Sequence, residues 1–228
     1  MIAIAAQLWL GGCAPRLGAQ DIVPPQIQDN QLVRFSPKVG PKRKLRIREL
    51  AMSSSELKRY PVLASAPVGR GLSRLLVATL ADTGRFDLLE DHDQLVQRLS
   101  HPWRRTAEGI AAHTPPVEDA EPSAFLFYAK IFDVAVCAPN RQSPDSQGLS
   151  ICRTSVGVQV RIADAAGRFV PGATHPLSPQ GRYVHDKTMP LFGSNLVAFD
   201  HSAMGKAVAK AMRFAVLQAI ERLERQGW

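Results

Sequence analysis

The sequence contains no long apolar run and only three cysteines, and both shortages restrict what the protein can be. No run reaches the roughly 18 apolar residues that a membrane-spanning helix needs, so the sequence predicts no such helix. The cysteines never stand at the paired spacing of a structural zinc site. With 228 residues, 45% of them hydrophobic, the chain can fold around one core without a metal or disulfide staple.

The sequence also lacks the motifs of common catalytic sites. Gly69-Arg70-Gly71 has no third glycine and does not follow a strand, so it is not a phosphate-binding loop. Neither a zincin helix nor a nucleophile elbow occurs. The histidines, His175, His185 and His201 among them, lie in turn-rich segments without ligand spacing, and we expect them on the surface. We therefore predict a protein that is not an enzyme and that binds no metal or cofactor.

The first residues are typical of a lipoprotein leader. Ile2–Leu10 is apolar and of suitable length, and Leu10-Gly11-Gly12-Cys13 resembles the lipobox of bacterial lipoproteins. We predict a leader over residues 1–12 and a covalent lipid on Cys13. No Lys or Arg precedes the apolar stretch, which favours a start site further upstream. Ala14 follows the cysteine, which in such lipoproteins implies sorting to the outer membrane.

A tether is predicted to separate the leader from a folded periplasmic domain. Residues 13–43 are polar and hold five prolines, a composition typical of a linker. The alternative, a buried helix with Cys13 in a core, fits such a proline-rich continuation poorly. We place the folded domain at residues 44–228.

The net charge is +8, and several basic residues cluster where the domain begins. Nucleic acid, an anionic membrane surface and a solvated strand edge are three interpretations of this cluster. It has no interleaved aromatic platform and belongs to no nucleic-acid motif, which favours the solvated strand and no nucleic-acid partner. Its members are Arg34, Lys38, Lys42, Arg43, Lys44, Arg46 and Arg48.

Hydrophobic periodicity predicts an α+β or α/β fold, with helices packed on a mixed β-sheet. Strands are predicted at 44–50, 86–90, 125–137, 155–164 and 168–170, and a polar loop at 51–66. Helices are predicted at 67–83, at 92–100 and from Ser202 onward. In the last helix, Lys206, Lys210, Arg213 and Arg222 are expected on the polar face.

The ends of these helices are predicted from their capping residues. Ser65, Asp91 and Ser202 are the expected N-caps, because their side chains can accept hydrogen bonds from the first helical N–H groups. Gly84 suits a left-handed C-terminal cap, and Pro102 is expected to end the second helix.

Cys137 and Cys152 remain once Cys13 is assigned to a lipid. They flank a turn-rich segment, 138–151, and could be joined across a hairpin in an oxidising compartment. Two unlinked thiols are an equally good interpretation, because a sequence does not fix the distance between Cα atoms.

Three segments resemble the curli assembly and secretion lipoproteins, the CsgG-like family with its holdfast-type relatives. Leu72–Glu90, with its Asp82-Thr83-Gly84-Arg85-Phe86 turn, is similar to the family's first helix–strand unit. Val160–Gly167 is similar to a later strand and turn, and Ser202–Ala207 to the start of the C-terminal helix. The resemblance covers most of residues 44–228 and implies a periplasmic α+β domain that assembles into a homo-oligomeric ring.

A fourth segment, Lys58-Arg59-Tyr60-Pro61, resembles the family's loop at the narrowest point of a secretion pore. The resemblance makes Tyr60 the candidate constriction residue, with Lys58 and Arg59 beside it. The family's asparagine–phenylalanine pair is absent, since Val62-Leu63-Ala64-Ser65 stand there. An ordinary amphipathic loop residue is the alternative interpretation of Tyr60.

Pore-forming members of the family insert two β-hairpins per subunit into the outer membrane. Residues 133–155 and 168–201 are long enough for such hairpins, although the first has a polar tip and four prolines interrupt strand pairing in the second. Four strands cannot close a barrel, so a channel would require a ring of subunits. The resemblance thus implies a channel for curli-like or holdfast adhesin subunits, with accessory assembly proteins as partners. The alternative is a lipid-tethered periplasmic interaction module without a pore, such as an activator of peptidoglycan synthases.

Overall fold

The computed structural model describes residues 34–36, 40–107, 124–139, 151–168, 180–186 and 188–225. The predicted leader, Cys13, Lys38, His175 and residues 169–170 of the last predicted strand lie outside the described residues. So do residues 140–150 of the first candidate hairpin and residues 169–179 and 187 of the second. The described strands are β1 (Arg43–Met52), β2 (Phe86–Leu88), β3 (Phe125–Pro139), β4 (Ile151–Ala163) and β5 (Gln180–Asp186). The described helices are α1 (Ser54–Arg59), α2 (Ala66–Asp82), α3 (His92–Ala107), α4 (Leu196–Asp200) and α5 (Ala203–Arg225), with a 3-10 helix at Pro61–Ala64.

The strands form one mixed sheet in the order β2-β1-β3-β4-β5. β1 runs parallel to β2 and β3, because the intervening helices return the chain to the same end of the sheet. β3, β4 and β5 are antiparallel neighbours. The predicted α+β class, a mixed sheet flanked by helices, is confirmed.

The hydrophobic core lies on one face of this sheet. Alternate residues of each strand point into it, as the period of two along a strand requires. α2, α3 and α5 supply the other half of the same buried cluster. Its fully buried members include Leu45, Ile47, Phe127, Ile131, Val158, Ile162, Leu72, Leu76 and Val208.

Several predicted helix ends agree with the structure. Gly84 has a φ of 62°, the left-handed conformation expected just after α2. The Asp91 side chain accepts a hydrogen bond from the N–H of Asp93 at 2.9 Å, so it caps α3. The Ser202 hydroxyl accepts a hydrogen bond from the N–H of Gly205 at 3.0 Å and caps α5.

Other predicted boundaries are wrong. α3 continues through Pro102 to Ala107, because a proline removes one helical hydrogen bond but does not always end the helix. Ser65 precedes α2 without a side-chain capping bond. The predicted polar loop at 51–66 contains the end of β1, α1 and the 3-10 helix.

β3 carries two bulges that sequence periodicity does not predict. Asp133 and Cys137 have φ values of 51° and 52°, in the left-handed region that residues other than glycine rarely adopt. Each lies where the pairing with β4 shifts by one residue. Such bulges bend a strand and increase its twist, so the outer part of the β3–β4 hairpin is turned relative to the rest of the sheet.

The described part of the second candidate hairpin, 168–201, does not form a hairpin of its own. β5 pairs with β4, and α4 packs against α2 and α5 through Phe199, which is fully buried. Backbone and ring atoms of Phe199 occupy the space beside three glycines, Gly71, Gly193 and Gly205. Among the described helices, none combines the length and apolarity that crossing a membrane requires.

Candidate functional site

The Lys58-Arg59-Tyr60-Pro61 segment lies between two helical turns. Tyr60 is the C-cap of α1 and precedes the 3-10 helix. Its N–H donates to the carbonyl of Glu56 at 2.8 Å, and its carbonyl accepts from the N–H of Leu63 at 2.9 Å. These two hydrogen bonds fix the backbone of Tyr60 on both sides.

The side chains of this segment form a mixed basic and apolar patch. Lys58 and Arg59 are exposed, and Val62 exposes 44% of its surface. The Tyr60 ring is half-buried against the core, with the Arg59 guanidinium 5.2 Å from its centroid, within cation–π range. This patch can contact another protein chain, and a role of Tyr60 at a pore constriction stays a prediction.

α1 is attached to the sheet by a glutamate that sequence reasoning missed. Glu56 is only 9% exposed, and its Oε2 accepts a hydrogen bond from the N–H of Val134 at 3.1 Å. Val134 follows the bulge at Asp133, where the strand ladder is interrupted. Nothing in the sequence distinguishes Glu56 from a solvent-exposed glutamate in a polar segment, because its partner lies 78 residues away.

Cys137 and Cys152 are joined by a disulfide, with their Cα atoms 4.5 Å apart. The bond links β3 to β4 at the second bulge, near the outer end of the hairpin. Cys152 is 1% exposed and lies opposite Pro139. The two cysteines, which the sequence left open as a disulfide or two thiols, therefore hold the stem of the first candidate hairpin.

His185 is buried beside this disulfide. It lies opposite Cys152 in the β4–β5 ladder and is 6% exposed, so its expected surface position is wrong. Its Nε2 lies 2.9 Å from the Thr154 hydroxyl, and its Nδ1 lies 2.8 Å from the carbonyl of Asp186. The Nε2 contact joins β5 to Thr154 on β4, whereas the Nδ1 contact stays within β5. His201, by contrast, is exposed as expected.

Lys210 is also buried, contrary to its predicted place on the polar face of α5. It is 7% exposed, and its Nζ donates to the carbonyl of Arg182 at 3.2 Å and lies 5.4 Å from the Tyr183 ring centroid. The reason is the close approach of α5 to β5. A Cβ atom at Gly181 would clash with the carbonyl oxygen of Ala207, so the helix lies directly on the strand and the long lysine side chain reaches the backbone of β5.

The contacts of the domain extend to residues before 44. Phe35 packs against the core, with the Arg213 guanidinium 5.9 Å from its ring centroid. Arg85 donates to the carbonyl of Ser36 at 3.0 Å and pairs with Glu224 at 2.9 Å. The last part of the predicted tether is therefore attached to the ends of α2 and α5.

Within the part of the chain that the structure describes, no group of His, Cys, Asp and Glu side chains could hold a metal ion. The buried polar groups around His185 and Glu56 hold backbone and side-chain partners. The described surface offers the patch at Lys58–Val62, the outer part of the β3–β4 hairpin and the face of the sheet opposite the core. Each of these surfaces suits the binding of another molecule.

Comparisons with known proteins do not assign a family. No protein-family model and no curated protein matches the sequence. A hypothetical protein of Chlamydia trachomatis has a TM-score of 0.44 and 15% identity, over 80% of this chain and 98% of that one. A minor lipoprotein of Acinetobacter baumannii has a TM-score of 0.35 and 14% identity, over 80% and 96%. A lipoprotein of Neisseria meningitidis has a TM-score of 0.31 and 11% identity, over 81% and 99%. At these TM-scores the likeness establishes neither a common family nor a common function.

Proposed function

We propose that the protein is a lipid-anchored envelope protein of the outer membrane whose periplasmic domain works by binding other molecules. In this proposal the domain forms no pore and performs no catalysis. The anchor rests on the lipobox-like Leu10-Gly11-Gly12-Cys13, with the lipid on Cys13.

The observation that carries the pore-free proposal is the position of the second candidate hairpin. Moving 168–201 into a membrane would detach β5 from β4 and withdraw Phe199 from the core. Removal of a buried phenylalanine side chain costs about 3–5 kcal/mol, a large part of the stability of an ordinary domain. This cost supports the proposal that the segment does not insert into a membrane as a second hairpin.

The edges of the sheet favour the same proposal. Lys210 donates to the carbonyl of Arg182 on β5, the outer strand of the described sheet. At the other side β2 pairs only with the first residues of β1, and Arg98 donates to the carbonyl of Ile47 just beyond them at 2.5 Å. These basic side chains reach the edges from α5 and α3 and occupy backbone carbonyl groups, which opposes pairing with a second sheet, the contact that a ring built on strand edges would use.

A second candidate function is a subunit of a secretion channel, as the CsgG-like resemblance implies. The first candidate hairpin, 133–155, favours it, because β3 and β4 pair from Leu126 and Ala163 out to Pro139 and Cys152. Each subunit would then contribute two strands, and a barrel of at least about eight strands would need four subunits or more. Curli-like or holdfast adhesin subunits would be its cargo, and accessory assembly proteins its partners.

One measurement tests the lipid anchor that both proposals share, and two others separate the proposals. Metabolic labelling with radioactive palmitate should label the wild-type protein and leave a Cys13→Ser variant unlabelled, since Cys13 carries the lipid. The detergent-extracted wild type should have the mass of a single subunit by light scattering and give no unitary conductance in planar bilayers. Stable conductance steps that change in Tyr60→Ala, and not in the control Tyr128→Ala, would overturn the pore-free proposal and favour the channel.

A further inference from the structure

The face of the sheet opposite the core carries a surplus of positive charge. Outside the bulges, the strand registers place six basic residues and three acidic residues, Glu49, Asp87 and Asp186, on this face. α2, α3 and α5 contribute their buried apolar side chains to the core on the other face. The basic residues are Lys44, Arg46, Lys130, Arg153, Arg161 and Arg182. We call this side of the sheet the basic face.

Two aromatic side chains lie among these charges. Tyr128 stands directly opposite Arg161, and Phe132 stands opposite Gly157. A Cβ atom at Gly157 would lie 2.8 Å from Cζ of Phe132, so the phenylalanine ring lies over the backbone of β4. Both aromatic side chains are half-buried and keep part of their surface exposed.

We propose that the basic face docks on an anionic lipid surface. Lys and Arg are attracted to anionic headgroups, and tyrosine and phenylalanine rings interleaved with them suit the boundary between headgroups and acyl chains. Several of these side chains also make contacts within the protein, so the proposal rests on the summed charge and aromatic content of the face.

The proposed lipid anchor makes this partner the nearest anionic surface. Arg34 is the first described residue, 21 positions after Cys13 in the sequence. A chain of that length reaches at most about 75 Å when fully extended, and far less when coiled, so the domain stays close to the bilayer that holds the lipid. In this respect the inference rests on the proposed function, because it places the anchored domain against its own membrane.

The test uses the full chain with Cys13→Ser, so that binding does not depend on acylation. We expect it to bind vesicles of mixed phosphatidylglycerol and phosphatidylcholine, to bind pure phosphatidylcholine vesicles far more weakly, and to lose affinity as salt is raised. Lys130 and Arg161 are both exposed, so their reversal to glutamate should leave the urea midpoint unchanged. Lys130→Glu/Arg161→Glu should weaken vesicle binding at least about tenfold, since each basic residue near such a surface contributes about fivefold.

A matched variant separates the face from the net charge. Arg70→Glu/Arg225→Glu changes the charge by the same amount at exposed positions on α2 and α5, and should stay within about threefold of the wild type. Lys130→Gln/Arg161→Gln should fall between the wild type and the reversed variant. Equal losses in the two reversed variants, or no loss in Lys130→Glu/Arg161→Glu, would overturn the proposal.

Two further outcomes are informative. Binding of soluble polyglutamate that depends on Lys130 and Arg161, without vesicle binding, would overturn the lipid as partner and indicate an acidic polymer. An unlabelled Cys13 in the palmitate experiment would remove the anchor from the proposed function, whereas face-dependent vesicle binding of the Cys13→Ser chain would still support the basic face.

Discussion

At the scale of single residues, Glu56 is a buried carboxylate that holds a backbone N–H. Glu56→Ala would leave the N–H of Val134 without its 3.1 Å acceptor, and we expect a loss of about 1–3 kcal/mol in the free energy of unfolding. Glu56→Gln keeps an acceptor oxygen and should lose clearly less. Urea unfolding followed by circular dichroism measures both variants. Equal losses would show that the negative charge, not the hydrogen bond, is what matters at this position.

Asp164 gives stability a dependence on acid pH. The backbone N–H of Arg168 bonds to its Oδ1 at 2.9 Å, and this bond holds the pKa of the carboxyl below its ordinary value of 3.8. A lowered pKa in the folded state stabilises the protein above the unfolded pKa, and this contribution is lost as the pH falls through the folded value. The stability difference between wild type and Asp164→Asn should therefore be constant near neutral pH and vanish in acid below 3.8.

The partner variant Arg168→Ala identifies the cause of this effect. It removes the guanidinium, which lies 2.9 Å from Oδ2, but keeps the backbone N–H. Because that N–H contributes most to the lowered pKa, Arg168→Ala should keep most of the acid dependence seen in urea midpoints measured across the acid range. Complete loss of the dependence in Arg168→Ala would contradict the assignment to the backbone.

At the scale of elements, the disulfide between Cys137 and Cys152 should stabilise the β3–β4 hairpin. It closes a loop with a sequence separation of 15 residues, and loop-closure entropy for such a loop corresponds to about 3 kcal/mol. Cys137→Ser/Cys152→Ser should lower the free energy of unfolding by that order. The wild type treated with dithiothreitol should fall to the level of the double variant in urea unfolding. An unchanged midpoint under reducing conditions would contradict this contribution.

The helices and strands also show how much of the fold the sequence can predict. β1, α2, β4 and α5 were predicted within a few residues, because their apolar positions recur at the period of a strand or a helix and their caps are local. Pro102 is expected to end a helix, yet α3 runs through it to Ala107, because a proline removes one helical hydrogen bond without always ending the helix. The bulges at Asp133 and Cys137 break the alternation of side chains along β3, and no glycine stands at either position to indicate a positive φ.

The candidate site was predicted less well for a related reason. His185 and Lys210 carry polar side chains in segments that look solvated, and they are buried because their partners come from distant parts of the chain. Cys137 and Cys152 were recognised as a pair, but only the fold supplies their separation of 4.5 Å. The periodicity of a single sequence therefore does not reveal which distant residues become the partners of its buried polar side chains.

At the scale of the whole molecule, the sheet edges bear on whether the protein assembles. β5 is the outer strand of the described sheet, and Lys210 occupies the carbonyl of Arg182 along it. An outer strand with unblocked carbonyls is a template for pairing with a second chain, and lysine is a residue that proteins place there to prevent it. The same arrangement, with Arg98 at the carbonyl of Ile47, favours a single tethered subunit over a ring joined through its strands.

We therefore expect Lys210→Ala to increase self-association. The change exposes the carbonyl of Arg182 and removes the cation from above the Tyr183 ring, so two β5 edges can approach without a buried charge between them. Sedimentation velocity over a range of protein concentrations, with the Cys13→Ser chain as the parent, measures the association. Lys206→Ala, one turn earlier on α5 and only half-buried, is the control and should stay monomeric. A monomeric Lys210→Ala variant with an unchanged fold would show that this lysine does not prevent pairing at the β5 edge. Assembly of a ring through β5 would then no longer be opposed by this argument.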